Sequence, residues 1–123
     1  NEQVAPIIRD LRQRIADANG VLICTPEYVF SMPGSLKNAL EWMVSTVVFS
    51  DKPLGIITAS ASGEKGHEQL QVVMRTLGAN FNEDTLLLIS GIKGKMNEEG
   101  EIIHAETLQR VAHFADSFLK LLR

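Results

Sequence analysis

Val21-Leu22-Ile23-Cys24-Thr25-Pro26-Glu27-Tyr28-Val29-Phe30-Ser31-Met32-Pro33-Gly34-Ser35-Leu36-Lys37-Asn38-Ala39-Leu40-Glu41-Trp42 is the stretch on which the reading of the fold turns. Its first four residues are apolar without alternation, the pattern of a central parallel strand covered on both faces. Its second half is helical: Leu36, Ala39, Leu40, Met43, Val44 and Val47 form one stripe, with Trp42 off its centre. That helix is expected to start near Pro33, since proline suits a first helical position; Ser31 or Ser35 caps it. Between strand and helix lies a loop with two prolines, a glycine, an acid and two aromatic residues. In open parallel sheets ligands bind at the carboxyl ends of the strands, so this loop is expected to be one wall of a binding site.

Upstream, Val4, Ile7, Ile8, Leu11, Ile15 and Ala18 make a helical stripe, with Pro6 in its first turn and a left-handed cap expected at Asn19-Gly20. Downstream, Leu54-Gly55-Ile56-Ile57-Thr58-Ala59 reads as a second buried strand. The small-residue loop Ser60 to Gly66 follows it as the first loop follows Cys24. Leu70, Val73, Met74 and Leu77 define a helix closed by Gly78, Thr85 to Ser90 a third strand, and Leu108 to Leu122 a terminal amphipathic helix. Asn97-Glu98-Glu99-Gly100 is a surface turn. Strands alternating with helices predict a parallel sheet with right-handed crossovers. Three strands of buried character leave an exposed apolar edge, which proteins avoid. The expectation is that another chain covers it, or that a strand–helix–strand unit of roughly 50 residues precedes Asn1.

The 123 residues fit one domain. A net charge of −3 offers no general attraction to nucleic acid or anionic membrane. No apolar run approaches the roughly 18 residues of a membrane span, and the first residues of the sequence do not show the basic-then-apolar pattern of a signal peptide. One cysteine excludes an internal disulfide and fits a reducing cytoplasm. One Cys and three scattered His give no metal-ligand spacing. Cys24 is expected to be a buried small apolar group, His67 a solvated surface residue, and His104 and His113 to lack partners.

The run Thr25-Pro26-Glu27-Tyr28 followed by Ser31-Met32-Pro33-Gly34-Ser35-Leu36-Lys37-Asn38-Ala39-Leu40-Glu41-Trp42 resembles the signature of the NADPH-dependent FMN reductase family, which includes azo-, quinone- and chromate-reducing enzymes. Thr58 to Gly66 resembles the family's second flavin-side loop, and Asn97 to Ile102 its acidic turn before the last helix. The resemblance implies a flavodoxin-like α/β fold, a three-layer sandwich around a parallel sheet. The chain is then one domain whose N-terminal β-α-β part is absent from this sequence. Two departures stand out. Val29 occupies the place where the family usually carries Asn, and no phosphate-binding loop of the Gly-Ser-x-Arg-x-x-Ser-x-Asn kind is found.

The resemblance further implies FMN as cofactor, NADPH or NADH as reductant, a small electron acceptor, and a homodimer or homotetramer. Pro26, Glu27, Tyr28 and Val29 are then candidates for the edge of the flavin ring, with Tyr28 against its face. Glu27 would use its backbone there, its carboxylate making an ion pair across a dimer. Ser60, Ala61, Ser62, Gly63 and Gly66 lack bulk and let backbone N–H groups approach a ligand closely. The helix beginning near His67 adds a positive dipole end for a reduced, anionic flavin. No side chain is needed as a catalytic acid, because hydride transfer is the cofactor's own chemistry. The apolar excess from Trp42 to Phe49 points to self-association. The alternative is a flavodoxin-like association module that binds no FMN.

Overall fold

In a computed structural model, which describes residues 4–123, the chain forms α1 (Pro6–Asp17), β1 (Val21–Thr25), α2 (Gly34–Glu41), β2 (Leu54–Ser60), α3 (Glu64–Thr76), β3 (Leu86–Ser90) and α4 (Ala105–Leu121). Short 3₁₀ turns lie at Glu83–Thr85 and Ile92–Lys95. The strands run parallel in the order β1-β2-β3, with Val21 opposite Leu54 and Ile56 opposite Leu86. Every loop leaving a strand's carboxyl end therefore emerges on the same rim of the sheet.

The pleat divides the core. Leu54 and Ile56 face one way and pack with Met32, Leu40, Met43, Phe49, Leu70 and Met74; Leu11 and Ile15 of α1 join them. Ile57 and Ala59 face the other way, with Leu87, Ile89 and Phe114 of α4. The result is three layers: α1, α2 and α3, then the sheet, then α4. Close packing of α4 depends on missing side chains. A Cβ at Gly55 would lie 2.7 Å from the Phe114 ring, and one at Gly20 would overlap Leu122. Gly20 thus makes room for α4. It supplies no left-handed cap as expected: α1 ends at Ala18 in extended backbone.

Four other expectations are corrected. β1 is not covered on both faces, for Leu22 is 51% exposed and Cys24 is exposed among the described residues, because α4 lies over β2 and β3. α2 stops at Glu41 and does not reach Val47. There Arg12 of α1 donates through Nε and Nη2 to the Trp42 carbonyl at 3.0 and 2.6 Å, and the Thr46 hydroxyl donates to the Met43 carbonyl at 2.7 Å. Carbonyls held by side chains favour turns over another helical turn. No side chain caps α2, whose N-cap is Pro33 itself. His104 and His113 do have partners: His104 caps α4 through Thr107, and His113 Nε2 lies 3.1 Å from Asp84. None of the described helices is long and apolar enough to cross a membrane.

Candidate functional site

The first loop folds back on itself. Tyr28 N–H donates to the Ser31 carbonyl at 2.8 Å and Ser31 N–H to the Tyr28 carbonyl at 3.0 Å. Val29 and Phe30 between them have φ of 51° and 59°. Two positive φ values mark the I′ pattern of a tight hairpin, which favours Asn and Gly and is strained for a β-branched side chain. Asn after the Pro-Glu-Tyr triplet suits this conformation; Val29 does not. The tip projects, with Val29 93% and Phe30 67% exposed, and Lys65 Nζ lies 5.4 Å from the centre of the Phe30 ring.

The feet of the hairpin are tied to α3. Glu27 Oε2 accepts from Gly66 N–H at 2.8 Å, and Oε1 accepts from Gly63 N–H at 3.2 Å and the Ser62 hydroxyl at 3.1 Å. Gln69 Oε1 takes the Ser31 hydroxyl and Met32 N–H. The approach is so close that a Cβ on Gly66 would meet Glu27 Cγ and the Ser31 carbonyl oxygen at 3.1 Å. Gly63, at φ 97°, makes the left-handed turn into α3. The Gly66 N–H bond, opposed by some desolvation and helped by Gly63, Ser62 and Lys65, holds the Glu27 carboxyl below its ordinary value.

Two expectations change here. The N-terminus of α3 carries the chain's own carboxylate, so its dipole end does not wait for an anionic flavin. Within the chain, the Glu27 side chain serves as a helix cap. Gly66, expected in a loop, sits in the first turn of α3.

Pro26, Ala59, Ser60 and Ala61, with Gly91-Ile92-Lys93-Gly94 after β3, line a cleft of about 470 Å³. A second hollow of about 400 Å³ adjoins it across Pro26, lined by Cys24, Thr25, Tyr28, Pro33, Ser35 and Leu36. Of the residues singled out from sequence, Pro26, Ser60 and Ala61 thus meet in the cleft and Tyr28 lies in the neighbouring hollow. Glu27, Ser62, Gly63 and Gly66 form the tie between the loops, and Val29 stands clear at the hairpin tip. The segment 91–94 was missed by sequence reasoning. Its signal was two glycines at the carboxyl end of the third strand, where the same rule that selected the first two loops applies.

Beneath the second loop, Thr58 Oγ1 and His67 Nδ1 are 2.6 Å apart, both side chains buried. His67 is therefore an interior residue and not the solvated one expected. Burial pushes its imidazole below the ordinary value, against the opposing charge of Glu68. Cys24, expected inside, opens onto the second hollow. Among the described residues no group of acids, histidines and cysteine is placed to hold a metal ion.

A rim of strand-end loops on a parallel three-layer sheet defines a class of small-molecule sites, and comparison with known proteins gives it a family. Residues 1–91 match the model of the NADPH-dependent FMN reductase family. The chain belongs to that family. It is 32% identical over 95% of its length to a 2-hydroxy-1,4-benzoquinone reductase from Burkholderia, covering 67% of that protein. It is 33% identical over 90% of its length to an Arabidopsis thaliana NADPH:quinone oxidoreductase, covering 59% of it. It is 31% identical over 85% of its length to an Escherichia coli K12 quinone reductase, covering 58%. The chain thus spans 58–67% of the length of these relatives. The flavoenzyme NAD(P)H:(acceptor) oxidoreductase FerB from Paracoccus denitrificans shares the fold at a TM-score of 0.74 and 21% identity, over 98% of this chain and 69% of FerB. So does a Treponema denticola general stress protein solved with FMN, at 0.64 and 9%, over 97% and 74%.

Proposed function

We propose that this protein is an FMN-dependent NAD(P)H oxidoreductase that passes electrons from a nicotinamide to a small acceptor such as a flavin, quinone, azo compound or metal oxyanion. The observation that carries the reading is the cleft where all three strand-end loops converge. Its wall of Pro26, Ala59, Ala61 and Ile92 suits a flat apolar ring, and Ser60 adds a polar group at the rim. No atom stands within 4 Å of where a Cβ on Gly91 or Gly94 would lie, so both glycines leave that side of the cleft open. These residues fit the flavin ring. The chemistry FMN supplies when bound is hydride acceptance from nicotinamide and electron delivery to an acceptor. The chain's part is to orient the ring with Pro26, Ser60 and Ala61, and to exclude water with Ile92. Lys93 brings a positive charge to the cleft mouth. Tyr28 in the adjoining hollow packs against the ring or the acceptor.

Support for the reductant and acceptor class comes from the relatives' names. Support for a homodimer or homotetramer comes from Val44 and Val47, 68% and 82% exposed after α2. A reducing, cytoplasmic setting accords with the lone exposed thiol. The purified protein is expected to show a flavin spectrum that NADPH bleaches; a colourless protein that ignores added FMN overturns the reading. Tyr28→Ala is expected to weaken FMN retention about threefold to tenfold, an aromatic contact being worth ~0.5–1.5 kcal/mol. Equal affinity, measured by flavin fluorescence titration, would leave the loop backbone as the binding element. The exposed hairpin tip favours a second reading, an association module without flavin, which the same spectrum decides.

A further inference from the structure

Glu27 lies in the loop that walls the cleft, yet its side chain bonds away from it. Its two carboxylate oxygens take the N–H groups of Gly63 and Gly66 and the Ser62 hydroxyl, and its backbone carbonyl takes the Ser60 hydroxyl at 3.4 Å. Every one of these ties joins the first strand-end loop to the second or to α3. Gln69 repeats the link one turn further along α3, through Ser31 and Met32. Gly66 completes the fit, since no side chain can stand between the two segments. Free N–H groups at a helix start attract anions, and here they are already taken by a carboxylate held within hydrogen-bond distance.

The geometry points to Glu27 as a positioning residue: it clasps the loop bearing Pro26 to the loop bearing Ser60 and Ala61, and closes the α3 N-terminus to the anionic groups of cofactor and substrate. This rests on the reading of the cleft as the flavin site. The clasp acts through the loops it spaces. Charge-assisted bonds to backbone N–H groups are stronger than neutral ones, so removing the charge while keeping the shape loosens the junction without emptying it.

The test compares the wild type with Glu27→Gln, Glu27→Ala and the control Glu64→Gln, which removes a charge from the same helical turn. Amide hydrogen exchange at Gly63 and Gly66 is expected to speed up about tenfold in Glu27→Gln and not in the control, with FMN affinity about tenfold weaker in Glu27→Gln. In Glu27→Ala, added inorganic phosphate is expected to slow Gly66 exchange by occupying the vacated helix end; it should not do so in the wild type. Unchanged Gly63 and Gly66 exchange in Glu27→Gln overturns the clasp. Equal phosphate effects in both proteins overturn the closed helix end. Faster exchange with undiminished FMN affinity overturns the positioning role. A wild type that takes up no FMN overturns the proposed function and the flavin arm together, while the exchange and phosphate arms still decide the clasp.

Discussion

At the scale of single residues, the site departs from what its letters suggest in two places. Val29 occupies a backbone conformation that costs an L-residue roughly 1–2 kcal/mol, more tolerable to Asn. Val29→Asn is therefore expected to raise stability by about 1 kcal/mol in urea denaturation. No gain would show that the tip relaxes in solution. His67 is the second. Its folded-state value lies below that of the unfolded chain, so the unfolded state binds the proton first on acidification. The neutral ring's contribution is whole above the ordinary value of 6.5, falls as the pH drops through it, and is spent below the folded value. Thr58→Val removes the partner of Nδ1 and is expected to cost about 1–3 kcal/mol at pH 8. A guanidinium series at pH 8 and pH 5 checks both statements, with a smaller loss across that range expected in His67→Gln than in the wild type.

At the scale of elements, α3 carries the most. Its inner face supplies Leu70 and Met74 to the core, both without solvent exposure, while its first turn receives the Glu27 carboxylate. Leu70→Ala is expected to destabilise by about 2–5 kcal/mol, since the packed neighbours close the space only in part. A thermal melt that shifts by less than a few degrees would contradict the packing described. The helical periodicity of 70–77 was legible because one face is buried. The helix's true start at Glu64 was not, because its cap comes from Glu27, 37 positions earlier in the chain. The same holds for α2: the apolar stripe ran on to Val47, but Arg12 reaches in from α1 and ends the helix at Glu41. Local spacing carries no information about a side chain arriving from elsewhere.

At the scale of the molecule, α1, α2 and α3 cover one sheet face and α4 covers β2 and β3 on the other. Val44 and Val47 remain outside both cores. If they carry the proposed self-association, Val44→Lys with Val47→Lys is expected to shift the sedimenting mass to that of the monomer, without loss of the far-ultraviolet spectrum. An unchanged mass would place the contact elsewhere. The parallel order of the strands brings Pro26, Ser60 and Gly91 together although 65 positions of sequence separate the first from the last.

Sequence by itself determined the alternation of strands and helices, the rim on which the cleft lies and the family, because burial periodicity and a dense local motif are both written in consecutive residues. The tertiary structure alone decided that Glu27 is a helix cap, that His67 lies inside and Cys24 outside, that the third loop completes the cleft, where α2 ends and where α3 begins. Each of these depends on groups brought within a few ångströms by packing, and that proximity has no signature in the spacing of one segment.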